Sequence, residues 1–238
     1  LAVLTLVAGT YLSVFGLWTS AMTTLSSVLL CVVTALALGL AIGIQAYRSP
    51  GTEAVVRAIM NVMQTVPIFS YLLPTLLLFG YGPSAALFAT VVYALPPMVH
   101  ATDLALRSVP DETLELARMA GCSRRQTLWK VEIPVAVPRL AIGPNQVVMM
   151  TLNMVIIASM IGAGGPGYDV LRALRRLDFG SGFEAGMGIV ALAVVLDRLT
   201  RAAARNQSTG RHGLWTRRDT MLAIGILAVT TLGGLAMP

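Results

Sequence analysis

The side chains best placed for chemistry in this chain are amides and thioethers set at helical spacing inside apolar sequence. Gln146, Met150 and Asn153 recur at three- to four-residue intervals, and Met160 continues the series. Gln64 stands with Asn61, Thr65 and Ser70 around Pro67. Amide dipoles carry no net charge, so a stripe of them could border a path for a small zwitterion without trapping it. The same residue types also serve interhelical packing and hydrogen bonding in membrane bundles, and both readings stay open. Groups for covalent or metal chemistry do not assemble. His100 has no second ligand beside it and reads as a helix-end residue, while Asp103 and Arg107 form an i,i+4 pair that needs no proton relay. Cys31 and Cys122 lack zinc spacing and are poor disulfide partners. No metal site is expected.

Two glycine-rich possibilities also fall away. Gly162–Gly167 matches G-x-G-x-x-G, but no strand precedes it and Pro166 interrupts it, so it is expected as a flexible exit from a helix rather than a dinucleotide site. The G-x-x-x-x-G-K-[ST] spacing of a P-loop does not occur in the chain, so any ATP must be hydrolysed elsewhere.

The elements that must position these groups follow from composition. The chain has 238 residues, 56% hydrophobic and only 12% charged. So few charges would leave a soluble globule with far more exposed apolar surface than water tolerates. Lipid is the alternative solvent, and there each span must satisfy its own backbone hydrogen bonds. Apolar runs of about 20 residues favour helices over the ten-residue alternation of a barrel. The expected fold is therefore all-α, a polytopic transmembrane helix bundle.

Seven apolar segments are expected, near Leu1–Leu17, Thr24–Ala46, Ala58–Phe79, Ser84–Leu106, Leu140–Ile161, Ala185–Leu199 and Thr220–Met237. The sixth is short and is expected to borrow a turn from its flanks. Pro67 should bend the third, and Pro96-Pro97 should kink the fourth. Trp18, Tyr47, Tyr81 and Trp215 lie near segment ends, as interfacial aromatics do. A start at Leu1 is compatible with a fragment of a longer protein. The first run lacks a basic leader and is expected as a span, not a cleaved signal. The expected organisation is an N-terminal segment at 1–19, a core unit at 20–201, and a basic linker with an extra span at 202–238.

Orientation follows from lysine and arginine. Fourteen of the seventeen cations lie in three loops: after segment two, after segment four, and between segments six and seven. Placing these loops in the cytoplasm is consistent with seven crossings and an internal N-terminus. Arg172, Arg175 and Arg176 then lie outside, on a short helix whose other face carries Val170, Leu171, Leu174 and Leu177. That helix suits a lipid surface or contact with an external protein. The net charge of +6 is thereby assigned to orientation and lipid headgroups rather than to nucleic acid.

The stretch 109–134, between segments four and five, is the most informative. Pro110, Asp111 and Glu112 suit a helix first turn. Leu114, Ala117 and Gly121 fall on one face, and Gly121 can serve as a left-handed stop. Ser123 with Gln126 makes a capping box for a second helix, which Pro134 is expected to end. Two short amphipathic helices joined by a glycine elbow should therefore protrude into the cytosol.

Glu115-Leu116-Ala117, three residues, Gly121, nine residues and Val131-Glu132-Ile133-Pro134 resemble the EAA loop of ABC importer permeases, whose pattern is E-A-A, three residues, G, nine residues, I-x-L-P. The match departs from alanine at Leu116 and makes conservative swaps at Val131 and Ile133. The resemblance implies the type I importer permease fold, with a cytoplasmic coupling helix pair docked into an ATP-binding subunit. Glu115, Ala117, Gly121, Ser123 and Pro134 would belong to that coupling interface. Small residues permit close approach, and Glu115 offers an anchor for a cation or helix end. It further implies an extracytoplasmic substrate-binding protein, a second permease copy or related domain enclosing the path, a multi-pass location in the bacterial inner membrane, and ATP with magnesium bound by the partner rather than by this chain.

Resemblance to glycine betaine/proline-betaine permeases extends over roughly residues 18–201. It is carried by Gln64-Thr65-Val66-Pro67, Tyr71-Leu72-Leu73-Pro74, Ala94-Leu95-Pro96-Pro97, Asn145-Gln146, Met154 to Ile161, and Leu196-Asp197-Arg198-Leu199-Thr200. Cys122, Pro144 and His100 depart from that subfamily. The substrate implied is glycine betaine or a related osmoprotectant, with choline or an amino acid as the alternative. An ion-coupled secondary transporter would place ionisable groups deep in the spans, and here they cluster near span ends.

Overall fold

The computed structural model describes residues 2–159 and 164–208. The described elements are helical: α1 Ala2–Val14, α2 Trp18–Arg48, α3 Pro50–Thr65, α4 Phe69–Phe79, α5 Pro83–Arg107, α6 Asp111–Met119, α7 Arg124–Thr127, α8 Ile133–Leu140, α9 Ile142–Ala158, α10 Pro166–Arg175 and α11 Phe179–Ser208. A π-helical turn, Leu128–Glu132, joins α7 to α8.

Among the described residues, α2, α5 and Phe179–Arg198 of α11 are each long and apolar enough to cross a bilayer. Two bent pairs reach span length together: α3 with α4, and Arg124–Leu140 with α9. Several leucines point away from the bundle: Leu73 and Leu77 of α4 are 66% and 88% exposed. Such an exterior suits lipid, where helix association needs no apolar burial of its own.

The bundle is built around α5, which packs between α2 and α9. Val28, Val32 and Ala35 of α2 meet Ala94 and Met98 of α5, Val147 and Leu152 of α9, and Leu192 and Leu196 of α11 in one buried cluster. The approach of α2 to α5 depends on missing side chains. A Cβ at Gly39 would lie 2.6 Å from Met98 Cβ, and one at Gly43 would lie 2.5 Å from Thr102 Cβ. Gly143 plays the same part from α9, where a Cβ would meet Met98 Sδ at 2.8 Å. Four-residue spacing of small residues is how membrane helices bring their backbones together.

Several expectations need correction. The described part of the first segment is the 13-residue α1. The third does not merely bend: α3 and α4 meet at 102°. Pro67 forces Val66 into an extended conformation, φ −73° and ψ 130°, because its ring clashes with a preceding helical residue. The Tyr71 hydroxyl donates back across the break to the Met63 carbonyl. By contrast, α5 runs through Pro96 and Pro97 without interruption. The sixth segment begins six residues earlier than expected, at Phe179, and its helix continues to Ser208, into the stretch expected as linker. The span expected at Thr220–Met237 lies outside the described residues, as do Met160 and Gly162.

The amphipathic helix expected after segment five is α10, but its start is not a loose exit. Gly165, Pro166 and Gly167 are buried, wedged so that a side chain at Gly165 or Gly167 would strike the hydroxyls of Thr24 or Ser159. The helix closes with the Asp178 N–H donating to Ala173 O at 3.0 Å, and Leu177 takes the left-handed conformation usually given to glycine. Asp178 then caps α11. Hydrogen bonds from the Ser181 hydroxyl and backbone hold its carboxyl below the ordinary carboxylate range.

Candidate functional site: the elbow and the amide stripe

The helix pair of 109–134 forms with the caps its residues predict. Pro110 is the N-cap of α6, and Asp111 and Glu112 occupy its first turn, where carboxylates complement the helix dipole. Gly121 takes φ +75°. Its N–H donates to Arg118 O at 3.0 Å, and that of Cys122 donates to Ala117 O at 3.1 Å. These two bonds satisfy carbonyls that the end of α6 would otherwise leave open. Ser123 and Gln126 then cap α7 reciprocally: Ser123 N–H donates to Gln126 Oε1 at 2.9 Å, and Gln126 N–H donates to Ser123 Oγ at 3.4 Å.

The elbow has an inner and an outer face. Leu114 and Leu128 pack with Ala105, Leu106 and Val109 beneath the end of α5, and Ala117 is buried at 6% exposure. Glu115 projects outward, beside Leu116 and Met119 at 64% and 80% exposure. An acid flanked by large exposed apolar side chains outside the spans is a surface fitted for a partner.

Pro134 does not end the second helix. The chain passes through the π turn, where the Ile133 N–H donates to Leu128 O, five residues back, and continues as α8 with Pro134 in its first turn. Proline has no N–H for a bond four residues back, and the first turn of a new helix is where that loss costs nothing. Glu132, within this turn, is buried at 8% exposure.

The expected Asp103–Arg107 pair is half of a larger cluster. Arg107 Nε reaches Asp103 at 2.9 Å and its Nη2 reaches Glu53 at 2.6 Å, while Arg57 Nη2 reaches Glu53 at 2.7 Å and Asp103 at 3.2 Å. Four charges thus join the start of α3 to the end of α5. Sequence reasoning missed Glu53 and Arg57. The i,i+4 spacing of each pair was available, but nothing local shows that the two pairs face each other.

The amide stripe lies on the outer face of α9. Gln146 and Asn153 are exposed and Met150 is half-buried, while Val147, Thr151, Met154 and Ala158 face inward. Gln64 is exposed on α3, one residue before its end. It lies on a separate helix, and no hydrogen bond joins it to the α9 amides. No cluster of three or more His, Cys, Asp or Glu that could hold a metal occurs among the described residues, and both cysteines are free.

A doubly capped elbow carried by a bundle of broken and unbroken span-length helices is the arrangement that the resemblance to ABC importer permeases implies. In fold, the chain is similar to the MetNI methionine ABC transporter in its inward-facing conformations, with a TM-score of 0.69 over 78% of this chain and 93% of that one, at 20% identity. The chain belongs to the binding-protein-dependent transport system inner membrane components, whose pattern matches residues 35–209. It is 42% identical over 226 residues to the glycine betaine/proline betaine transport system permease protein ProW of Escherichia coli (strain K12), covering 91% of this chain. It is also 42% identical over 239 residues to the trimethylamine N-oxide transport system permease protein TmoV of Ruegeria pomeroyi, covering 98% of this chain. The chain spans 64% of the length of the first and 36% of the second.

Proposed function

We propose that this chain is the membrane-spanning permease subunit of an ATP-driven importer for glycine betaine or a closely related small quaternary-amine or proline-type osmoprotectant. The elbow carries the reading: a rigid, doubly capped helix pair presents Glu115, Leu116 and Met119 outward while its inner face is packed on α5. A separate ATPase subunit grips that outer face, and closure of the nucleotide-bound ATPase pair moves the elbow as a lever on the spans. An extracytoplasmic binding protein delivers the solute on the side of α10. A second copy, or a related domain, completes the path.

The outer face of α9 supports a path rather than lipid contact. Amides left in hydrocarbon lack hydrogen-bond partners, so Gln146 and Asn153 belong against a partner helix or a wet cavity. Gln64 at the α3 break is placed to contribute from another element. Relatives named for glycine betaine and for trimethylamine N-oxide share a compact, methylated, nearly neutral solute, which uncharged dipoles suit. Choline or an amino acid is the alternative cargo.

The test is uptake of labelled glycine betaine, choline and proline by vesicles holding the reconstituted complex, with and without ATP. ATP-dependent accumulation of betaine is expected. Glu115→Lys should lower uptake at least tenfold, leaving the protein inserted and any ATP hydrolysis unproductive. Normal uptake by that variant would show that the elbow is not the point of grip.

A further inference from the structure

At the corner between α10 and α11, large apolar side chains and cations share one exposed surface. Leu174, Leu177, Phe179 and Phe183 are exposed by 54%, 74%, 76% and 71%, and Arg172, Arg175 and Arg176 are exposed among them. Tyr168, Arg172 and Arg175 recur at helical spacing on the side of α10 away from the buried Ala173. Neither Arg172 nor Arg175 has an ion pair or a side-chain hydrogen bond among the described residues. The nearby carboxylates are turned elsewhere. Asp178 accepts from the Ser181 hydroxyl and N–H, and Asp169 sends Oδ2 into the interior.

Unpaired cations alone would suit a solvated face, but the apolar half of the corner does not. Phe179 and Phe183 begin a stripe that continues through Met187, Val190 and Val194, all exposed and all on one side of α11. This helix is long and apolar enough to cross a bilayer from Phe179 to Arg198, so the stripe faces acyl chains. The corner is one end of that stripe. A molecule lying along Phe183 in the hydrocarbon carries its headgroup to the level of Arg172 and Arg175. A soluble protein cannot reach down such a stripe, whereas a phospholipid does so by construction. Arginine meets a phosphate with two parallel N–H donors, and tyrosine settles at headgroup depth. The three arginines lie at the end of α9 opposite the elbow, away from the cation-rich loops that set orientation. Membrane insertion therefore does not account for them.

We propose that the α10–α11 corner is a binding site for an anionic phospholipid in the leaflet opposite the elbow. Arg172 and Arg175 hold the phosphate, Tyr168 lies beside the headgroup, and Phe179 and Phe183 receive the first acyl segments. The site follows from the chain's position in the membrane and is independent of the solute carried.

The test is amide hydrogen exchange along α10 in the full chain, held in bilayer discs of phosphatidylcholine alone or mixed with phosphatidylglycerol. Phosphatidylglycerol should slow exchange in α10 by about fivefold or more, the scale of one arginine at an anionic surface. Arg172→Gln combined with Arg175→Gln should abolish that protection without moving the thermal melt. Arg172→Lys with Arg175→Lys should keep only part of it, since a point charge replaces the planar fork. Inorganic phosphate added to phosphatidylcholine discs should not protect. Absent protection would overturn the proposal, as would protection that survives the glutamine pair or that inorganic phosphate reproduces. Protection of α10 by an extracytoplasmic binding protein but not by phosphatidylglycerol would make the corner a protein surface and also overturn it. Should the glutamine pair fail to fold, the lysine pair decides: weaker protection than in the unaltered chain supports the site, and equal protection overturns it.

Discussion

The elbow and the α2–α5 seam hold their shape by opposite means. In the elbow, the hydrogen bonds that set its shape join residues a few positions apart: Ser123 with Gln126, Gly121 with Arg118, Cys122 with Ala117. Its outer face is left free for Glu115, Leu116 and Met119. In the seam, Gly39 meets Met98 and Gly43 meets Thr102, partners separated by 59 residues in each case, and both sides are enclosed. A surface that must be gripped is built from local bonds, so it keeps its form when nothing covers it. A surface on which the bundle turns is built from close approach, so it holds only when the whole fold is present.

That contrast can be broken first at the seam. Alanine normally stabilises a helix interior relative to glycine by about 1 kcal/mol. Gly43→Ala should reverse the sign and destabilise by about 2 kcal/mol, since its Cβ would press on Thr102 Cβ rather than on a flexible tip. A thermal melt of the detergent-solubilised protein would read this as a lowered Tm, and a raised Tm would show that the helices have room to part. The elbow should respond less. Ser123→Ala removes one cap and should cost about 1 kcal/mol, read as faster amide exchange confined to α7 with little change in Tm. Smallest is the polar rim of the seam, where Arg57 is 54% exposed. Arg57→Ala should cost about 0.5 kcal/mol or less in Tm measurements, because Arg107 still bridges Glu53 and Asp103. A large loss there would mean that the four charges act as one unit.

The same division explains what the sequence could disclose. The caps of α6 and α7, the left-handed Gly121 and the break at Pro67 are consequences of near neighbours, and each is where residue chemistry puts it. Glu53 opposite Arg107, Gly43 opposite Thr102 and the burial of Glu132 depend on which helices meet, information no local window contains. Prolines show the limit most directly. Pro67, exposed, turns the chain by 102°, while Pro96 and Pro97, buried in the middle of α5, leave their helix unbroken. Packing on α2 and α9 decides the outcome. Pro134 does not act as a stop for a related reason: a turn wide enough to absorb the missing bond is a property of the backbone path, not of the residue.

The wide turn at Leu128–Glu132 also sets an angular offset. Each residue advances a helix by about 100°, so the extra residue in that turn fixes the azimuth of α8 relative to the elbow. Removing one residue there would restore an ordinary ladder and swing Ala136, now 1% exposed, off the bundle toward the surroundings. Chain length between the elbow and the membrane is therefore a counted quantity: this connection tolerates substitution far better than insertion or deletion.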